Sequence, residues 1–174
     1  MGKNNAFSKP ASPSVPENPS IALRPVTPAD TEFLIDVYSS TRSAELAATD
    51  WSSAQKVQFC TMQFHAQDAH YRLHYPTAQF LVIESDTLAI GRLYIAHWAQ
   101  EIRIMDIALL PAHRGQGIAT HLLRDLQTQA AAADKSLTIH VESFNPARQL
   151  YQRLGFRVTE DKGVYQLMEW TALK

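Results

Sequence analysis

The chain has little that would suit a partner held by charge, by membrane insertion or by disulfide staples. Its formal net charge is −1 over 174 residues, so no basic excess exists to hold a nucleic-acid backbone. A single cysteine, Cys60, excludes an internal disulfide and fits a reducing compartment. No apolar run approaches the ~20 residues that span a bilayer. The N-terminus lacks the apolar block of a signal peptide, so a cytoplasmic location is the default expectation. No Gly-Lys-Ser/Thr follows the glycines at 115 and 117, and no G-x-G-x-x-G spacing surrounds them, which excludes a P-loop and a dinucleotide fingerprint. Hydrophobic residues make up 45% of the chain and charged ones 19%, the balance of one ordinary globular domain.

Residues 1–20 carry Pro10, Pro13, Pro16 and Pro19 among Ser, Asn and Lys. They offer almost nothing to bury and read as a disordered tail; one domain is expected over residues 21–174. Ile21–Arg24 alternates as a first strand. Thr27-Pro28 reads as a cap and first turn of a helix, with Phe33, Leu34, Val37 and Tyr38 at helical spacing behind it. A second helix is expected from about Ser52 to His74, ended by Pro76. Phe80–Ile83 and Leu88–Ala96 form a hairpin across Ser85-Asp86-Thr87. The apolar run from Ile102 to Leu109 is too continuous for a half-exposed strand, so it belongs in the centre of a sheet. Asp106 interrupts it, and a buried carboxylate needs partners.

The most informative stretch comes directly after this strand. Leu109-Leu110-Pro111-Ala112-His113-Arg114-Gly115-Gln116-Gly117-Ile118-Ala119 ends a strand, turns through two glycines and opens an amphipathic helix (Ile118, Leu122, Leu123, Leu126, Ala130). The first N–H groups of a helix lack intrahelical partners and sit at the positive end of its dipole, a natural seat for a phosphate. Leu137–Val141 is a further strand, Asn145-Pro146 caps and opens a last helix closed by Gly155, and a final hairpin surrounds Asp161-Lys162-Gly163. The order is β-α-α-β-β-β-α-β-α-β-β: an α/β sheet, mostly antiparallel, covered on both faces, with an opening expected between the strand ending at Leu109 and the one starting near Leu137.

Arg114, Gly117 and Ala119 fit R-x-x-G-x-A, and this resembles the acetyl-coenzyme A signature of the GNAT superfamily of N-acetyltransferases. Ile21 to Asp30 resembles that family's first strand and helix entry, Asp106 to Ala119 its cofactor motif, and Asn145 to Phe156 its final helix motif. The resemblance covers about residues 21–171. It implies the GNAT fold, with a six- or seven-stranded sheet and splayed central strands, and acetyl transfer from acetyl-coenzyme A to an amine without a metal. It further implies that the pyrophosphate rests on the N–H groups of residues 114 to 119 (Arg114, Gly115, Gln116, Gly117, Ile118 and Ala119). The pantetheine arm then lies along Ile107, Ala108 and Leu109 beside a bulge at Asp106 to Ala108, with an N–H near Leu109 facing the thioester oxygen. Asn145 is implied as a coenzyme contact, beside its reading as a plain helix cap. Tyr151 is implied as the acid that protonates the departing thiolate, beside its reading as a packed core tyrosine.

A lysine-like amine must lose a proton before attack, which costs about 4.6 kcal/mol at pH 7. Glu101 leads the candidate bases, at a spacing from Leu109 that some amine-acetylating members share. Asp106, Glu142 and His140 follow. Each has a plain structural reading: Glu101 as a solvated turn residue, Asp106 as a brace of the bulge, Glu142 as a partner of Arg103. His65, His70 and His74 line a solvated helix face rather than a metal site, and Cys60 is packed. The resemblance also implies that Tyr38 to Trp51 and Gln63 to Tyr75 shape the acceptor side, and their Tyr, His, Gln and Phe suit a small polar or aromatic amine or a peptide N-terminus. A homodimer is compatible with the sequence. An acyl-coenzyme A sensor without turnover, or a phosphate-binding interaction protein, would share the glycine loop.

Overall fold

The computed structural model describes residues 20–172; the tail read at residues 1–20 lies, save for Ser20, outside them. β1 (Ile21–Pro25) leads through a single 3-10 turn at Pro28–Asp30 into α1 (Thr31–Ala47). The turn is fixed by Asp30, whose carboxylate accepts the Thr27 N–H (2.7 Å) and two guanidinium nitrogens of Arg24 (2.8 Å each). α2 (Ser53–His74) starts at a reciprocal capping box: Gln55 N–H donates to Ser52 Oγ and Ser52 N–H to Gln55 Oε1. β2 (Gln79–Ser85) and β3 (Leu88–His97) form the expected hairpin, with Asp86 and Thr87 both at positive φ, the backbone a tight two-residue turn requires.

β4 (Glu101–Leu109), α3 (Ile118–Ala132), β5 (Ser136–Glu142), α4 (Arg148–Arg153), β6 (Arg157–Asp161) and β7 (Tyr165–Trp170) complete the chain. The sheet runs β1-β2-β3-β4-β5-β7-β6, antiparallel throughout except where β4 meets β5. Successive side chains of β3 point to opposite faces. Leu93 enters the larger core with Ile104, Leu123 and Leu126, while Tyr94 sets its ring against Tyr71 of α2. So α3 and α4 cover one face and α1 and α2 the other, where Leu34, Tyr38, Leu46, Cys60 and Phe64 make a smaller core. α4 begins two residues later than an Asn145 cap suggests; Asn145 Oδ1 still accepts the Ala147 N–H (2.9 Å), so its side chain shapes the turn that precedes the helix.

Candidate active site

The central feature is a strand that loses its partner halfway. β4 pairs with β5 over four residues, Glu101↔Ser136 to Ile104↔Ile139, and no further. On its other side β4 stays paired with β3 to Leu109. β5 continues to Glu142 paired only with β7. The strands part where β4 is bulged: Tyr94 faces Asp106 and Ile95 faces Ile104, leaving Met105 as the extra residue. The bulge thus lies just before the Asp106 to Ala108 stretch. An extra residue re-aims a strand and increases its twist, turning β4 away from β5. Gly91 permits the same bend from the other side, because a Cβ there would lie 2.3 Å from the Ala108 carbonyl oxygen.

The edge left open is polar main chain. Leu110 donates its N–H to Ile90 of β3 (2.8 Å). By strand alternation Ala108 also faces β3, and the N–H groups of Ile107 and Leu109 face the opening. Arg114 Nε occupies the Leu109 carbonyl (2.8 Å), and its Nη2 donates to Ser40 Oγ of α1 (3.0 Å). The Arg114 guanidinium therefore ties the strand end to a helix instead of standing free beside the glycines.

Beyond a 3-10 turn at Pro111–His113, Gly115 and Gly117 sit at φ 72° and 82° with open space where a Cβ would be. They are there for the left-handed backbone. Arg114 N–H already donates to Pro111. The N–H groups of Gly115, Gln116, Gly117, Ile118, Ala119 and Thr120 have no acceptor among the described residues; the first bond of the helix is His121 to Gly117. Six N–H groups without an acceptor thus lead into and open a fifteen-residue helix, at the positive end of its dipole. A diphosphate fits that donor set, and an amide-bearing arm fits the open edge of β4.

Tyr151 is buried against Phe156 of the larger core. Its hydroxyl has no hydrogen bond to described residues and is not among the polar atoms sealed from solvent, so ring burial coexists with an open tip. Burial pushes its phenol up, and the Asp106 carboxylate adds to this; at neutral pH the group is a proton donor. Asp106 Oδ2 accepts from Arg92 Nη2 (2.6 Å), whereas Oδ1 takes no bond among the described residues. Arg92 is 2% exposed. It also reaches Gln67 (3.0 Å) and lies over the Tyr38 and Tyr94 rings. Burial, the largest single effect, lowers its pKa, but the Asp106 charge and hydrogen bond together with the Tyr94 and Tyr71 phenols outweigh it, so the net direction is up. Burial pushes the Tyr94 phenol up to about 12.

The other candidate bases are placed differently. Glu101 lies on the paired half of β4, about 26 Å of extended chain from Leu109. It is held by Arg103 (3.1 Å) and Thr138 (2.6 Å). His140 Nδ1 meets Arg103 (3.1 Å), and burial followed by that charge lowers its pKa. Glu142, at the tip of β5, faces Arg42 of α1 (3.8 Å) rather than Arg103. Arg92 belongs to the candidate site and was missed by sequence reasoning, whereas Gln67 and Tyr71 (whose hydroxyl donates to Met105 O, 3.4 Å) fall inside the Gln63 to Tyr75 stretch expected to shape the acceptor side. A lone arginine in the apolar run of β3 was the available signal, since a buried charge requires a counter-charge. His65, His70 and His74 are exposed on α2 and Cys60 is buried. Among the described residues no cluster of His, Cys, Asp or Glu could hold a metal, and no helix is long and apolar enough to cross a membrane.

Comparison with known proteins points the same way. The model of a family described as "Acetyltransferase (GNAT) domain" matches residues 47–173. A putative [ribosomal protein bS18]-alanine N-acetyltransferase of Bacillus subtilis (strain 168) is 33% identical over 91 residues, 51% of this chain and 60% of that protein, so the chain spans less than two thirds of that relative. The PaiA N-acetyltransferase of Thermoplasma acidophilum, solved with coenzyme A, superposes with a TM-score of 0.68 at 19% identity over 88% of this chain and 99% of the other. An acetyltransferase of Thermus thermophilus gives 0.64 at 19% over 88% and 97%.

Proposed function

The chain belongs to the GNAT acetyltransferases, and on that footing we propose that it moves an acetyl group from acetyl-coenzyme A to a primary amine, by direct attack with both substrates bound. The observation that carries this reading is the row of six unpartnered N–H groups at residues 115–120 beside the parted strands. Gly115 to Ala119, with Thr120, would hold the pyrophosphate; Ile107, Ala108 and Leu109 would hold the pantetheine arm; Asn145 would flank it from the turn before α4. When bound, acetyl-coenzyme A supplies the acetyl thioester.

The rest is the work of the chain's own groups. Leu109 N–H faces the opening, placed to stabilise negative charge growing on the acyl oxygen, an effect worth roughly 3–4 kcal/mol for one donor. Tyr151, kept protonated by burial, donates its proton to the departing sulfur. Asp106 takes the proton from the amine at its free Oδ1 while Arg92 fixes Oδ2. Its place on the parted half of β4 supports this choice over Glu101, which is zipped to β5, and over His140, which faces Arg103. A small amine and a peptide N-terminus both suit the acceptor side, and the name of the Bacillus relative supports including the latter.

The test is thiol release from acetyl-coenzyme A over a panel of amines and short peptides, comparing the chain with Tyr151→Phe. Turnover on a defined amine, lost in the variant, is expected. Coenzyme binding without turnover on any amine would instead sustain a sensor.

A further inference from the structure

Two contacts from α1 straddle the parting of the sheet. Ser40 is tied through Arg114 to the Leu109 carbonyl at the end of β4. Two residues later, Arg42 reaches Glu142 at the end of β5. One helical turn therefore spans the opening from lip to lip, on the face that also carries Asp106, Arg92 and Tyr38. The first contact is firm, with nitrogen–oxygen distances of 2.8 and 3.0 Å. The second is loose: 3.8 Å, with the Glu142 side chain 25% exposed. Arg42 is already held on its own helix, where the same Nη1 donates to Glu45 Oε1 at 3.0 Å and the guanidinium lies 5.5 Å from the centre of the Tyr38 ring. It can leave Glu142 without being stranded. Glu142 has no second cationic partner among the described residues.

We propose that Glu142 is the recognition site for the cationic acceptor amine, and that Arg42, already bonded to Glu45, is an internal stand-in for that amine that withdraws from Glu142 when the acceptor enters. This rests on the acetyl-transfer reading and adds to it a class of substrate: amines that arrive as ammonium ions. Proton removal at Asp106 follows capture at Glu142, so the two carboxylates on opposite lips have separate tasks. Glu142 acts on binding, and Arg42 competes with the substrate for it.

Substitutions at the two positions should then act with opposite signs. Arg42→Ala removes the competitor, so the acceptor KM falls about two- to five-fold, the range expected for loss of one exposed ion pair. Glu142→Gln removes the attractor, so KM rises about ten-fold with kcat little changed. In the double variant the Arg42 effect disappears, and Arg42→Lys restores wild-type behaviour. The acceptors are tyramine and an Ala-Ala-Ala peptide amide. Steady-state thiol release is measured alongside calorimetric binding of each acceptor to the protein loaded with coenzyme A. An Arg42→Ala protein with unchanged or raised KM, or a Glu142→Gln protein that binds both acceptors as wild type does, overturns the proposal. So does a coenzyme-loaded wild type that takes up neither acceptor. Failure of the acetyl-transfer reading is separable, because it shows as absent thiol release in wild type despite calorimetric uptake of an acceptor.

Discussion

Gly117 offers the sharpest separation of backbone strain from ligand contact. Its φ of 82° is left-handed, and an added Cβ would meet nothing within 4 Å. The protein itself therefore charges only the conformational penalty, about 1–2 kcal/mol for any L-residue. For a domain of this size that shifts Tm by roughly 2–8 °C. Gly117→Ala and Gly117→Glu should share this loss. Their effects on coenzyme binding should differ widely. The glutamate places a carboxylate beside the six free N–H groups, where it repels a diphosphate and competes for its donors. Each charge-assisted bond is worth roughly 1.5–3 kcal/mol, so losing two raises Kd by about 10²- to 10⁴-fold. The alanine methyl carries no charge and should change Kd by less than ten-fold. Calorimetry with coenzyme A, beside thermal melts of both variants, reads the two effects independently. Equal affinities for the glutamate variant and wild type would refute the placement of the phosphates at residues 115–120.

Three further outcomes are expected. Tyr151→Phe should lower kcat by about 10²-fold or more without changing coenzyme affinity or Tm, since the hydroxyl has no internal partner; because burial raises the phenol, wild-type kcat should show no loss from tyrosine ionisation up to pH 9. Gly91→Ala should destabilise by at least about 1–3 kcal/mol, as measured by urea unfolding, and should weaken coenzyme binding, because the new methyl displaces the Ala108 carbonyl on the parted segment. Asp30 is held well below the usual carboxylate range, first by its Arg24 hydrogen bonds. Its stabilisation is therefore complete above the unfolded value near 3.9 and is lost as pH falls from there toward the folded one. Asp30→Asn should cost about 1.5–3 kcal/mol at pH 7 in urea titrations, with the gap to wild type closing in acid.

The elements that depend on nearby residues were legible in the chain. The glycine turn and the amphipathic stripe of α3 are local patterns, and the apolar run of β4, broken only by Asp106 after Ile104, announced a strand in the centre of the sheet. What was hidden depends on register. Met105 is a bulge only because Tyr94 and Ile95 lie opposite Asp106 and Ile104, and no property of Met105 itself reveals this. Arg92 and Asp106 are fourteen residues apart in the chain and meet through the β3–β4 pairing. Glu101 shows the converse. Its spacing to Leu109 placed it on the central strand, but could not show that β4 is zipped to β5 at that end and open at the other. The pairing of Glu142 with Arg42 instead of Arg103 depends on where α1 crosses the sheet, which follows from tertiary packing.

The seven strands form two plates, β1 to β4 and β5 to β7, welded along a seam only four residue pairs long. Past the seam the plates are kept apart by the kink at Met105, and α1 bridges them through side chains alone. A molecule that lends its amides to the unjoined length would lengthen the weld, so whatever fills the gap also braces the two halves against each other.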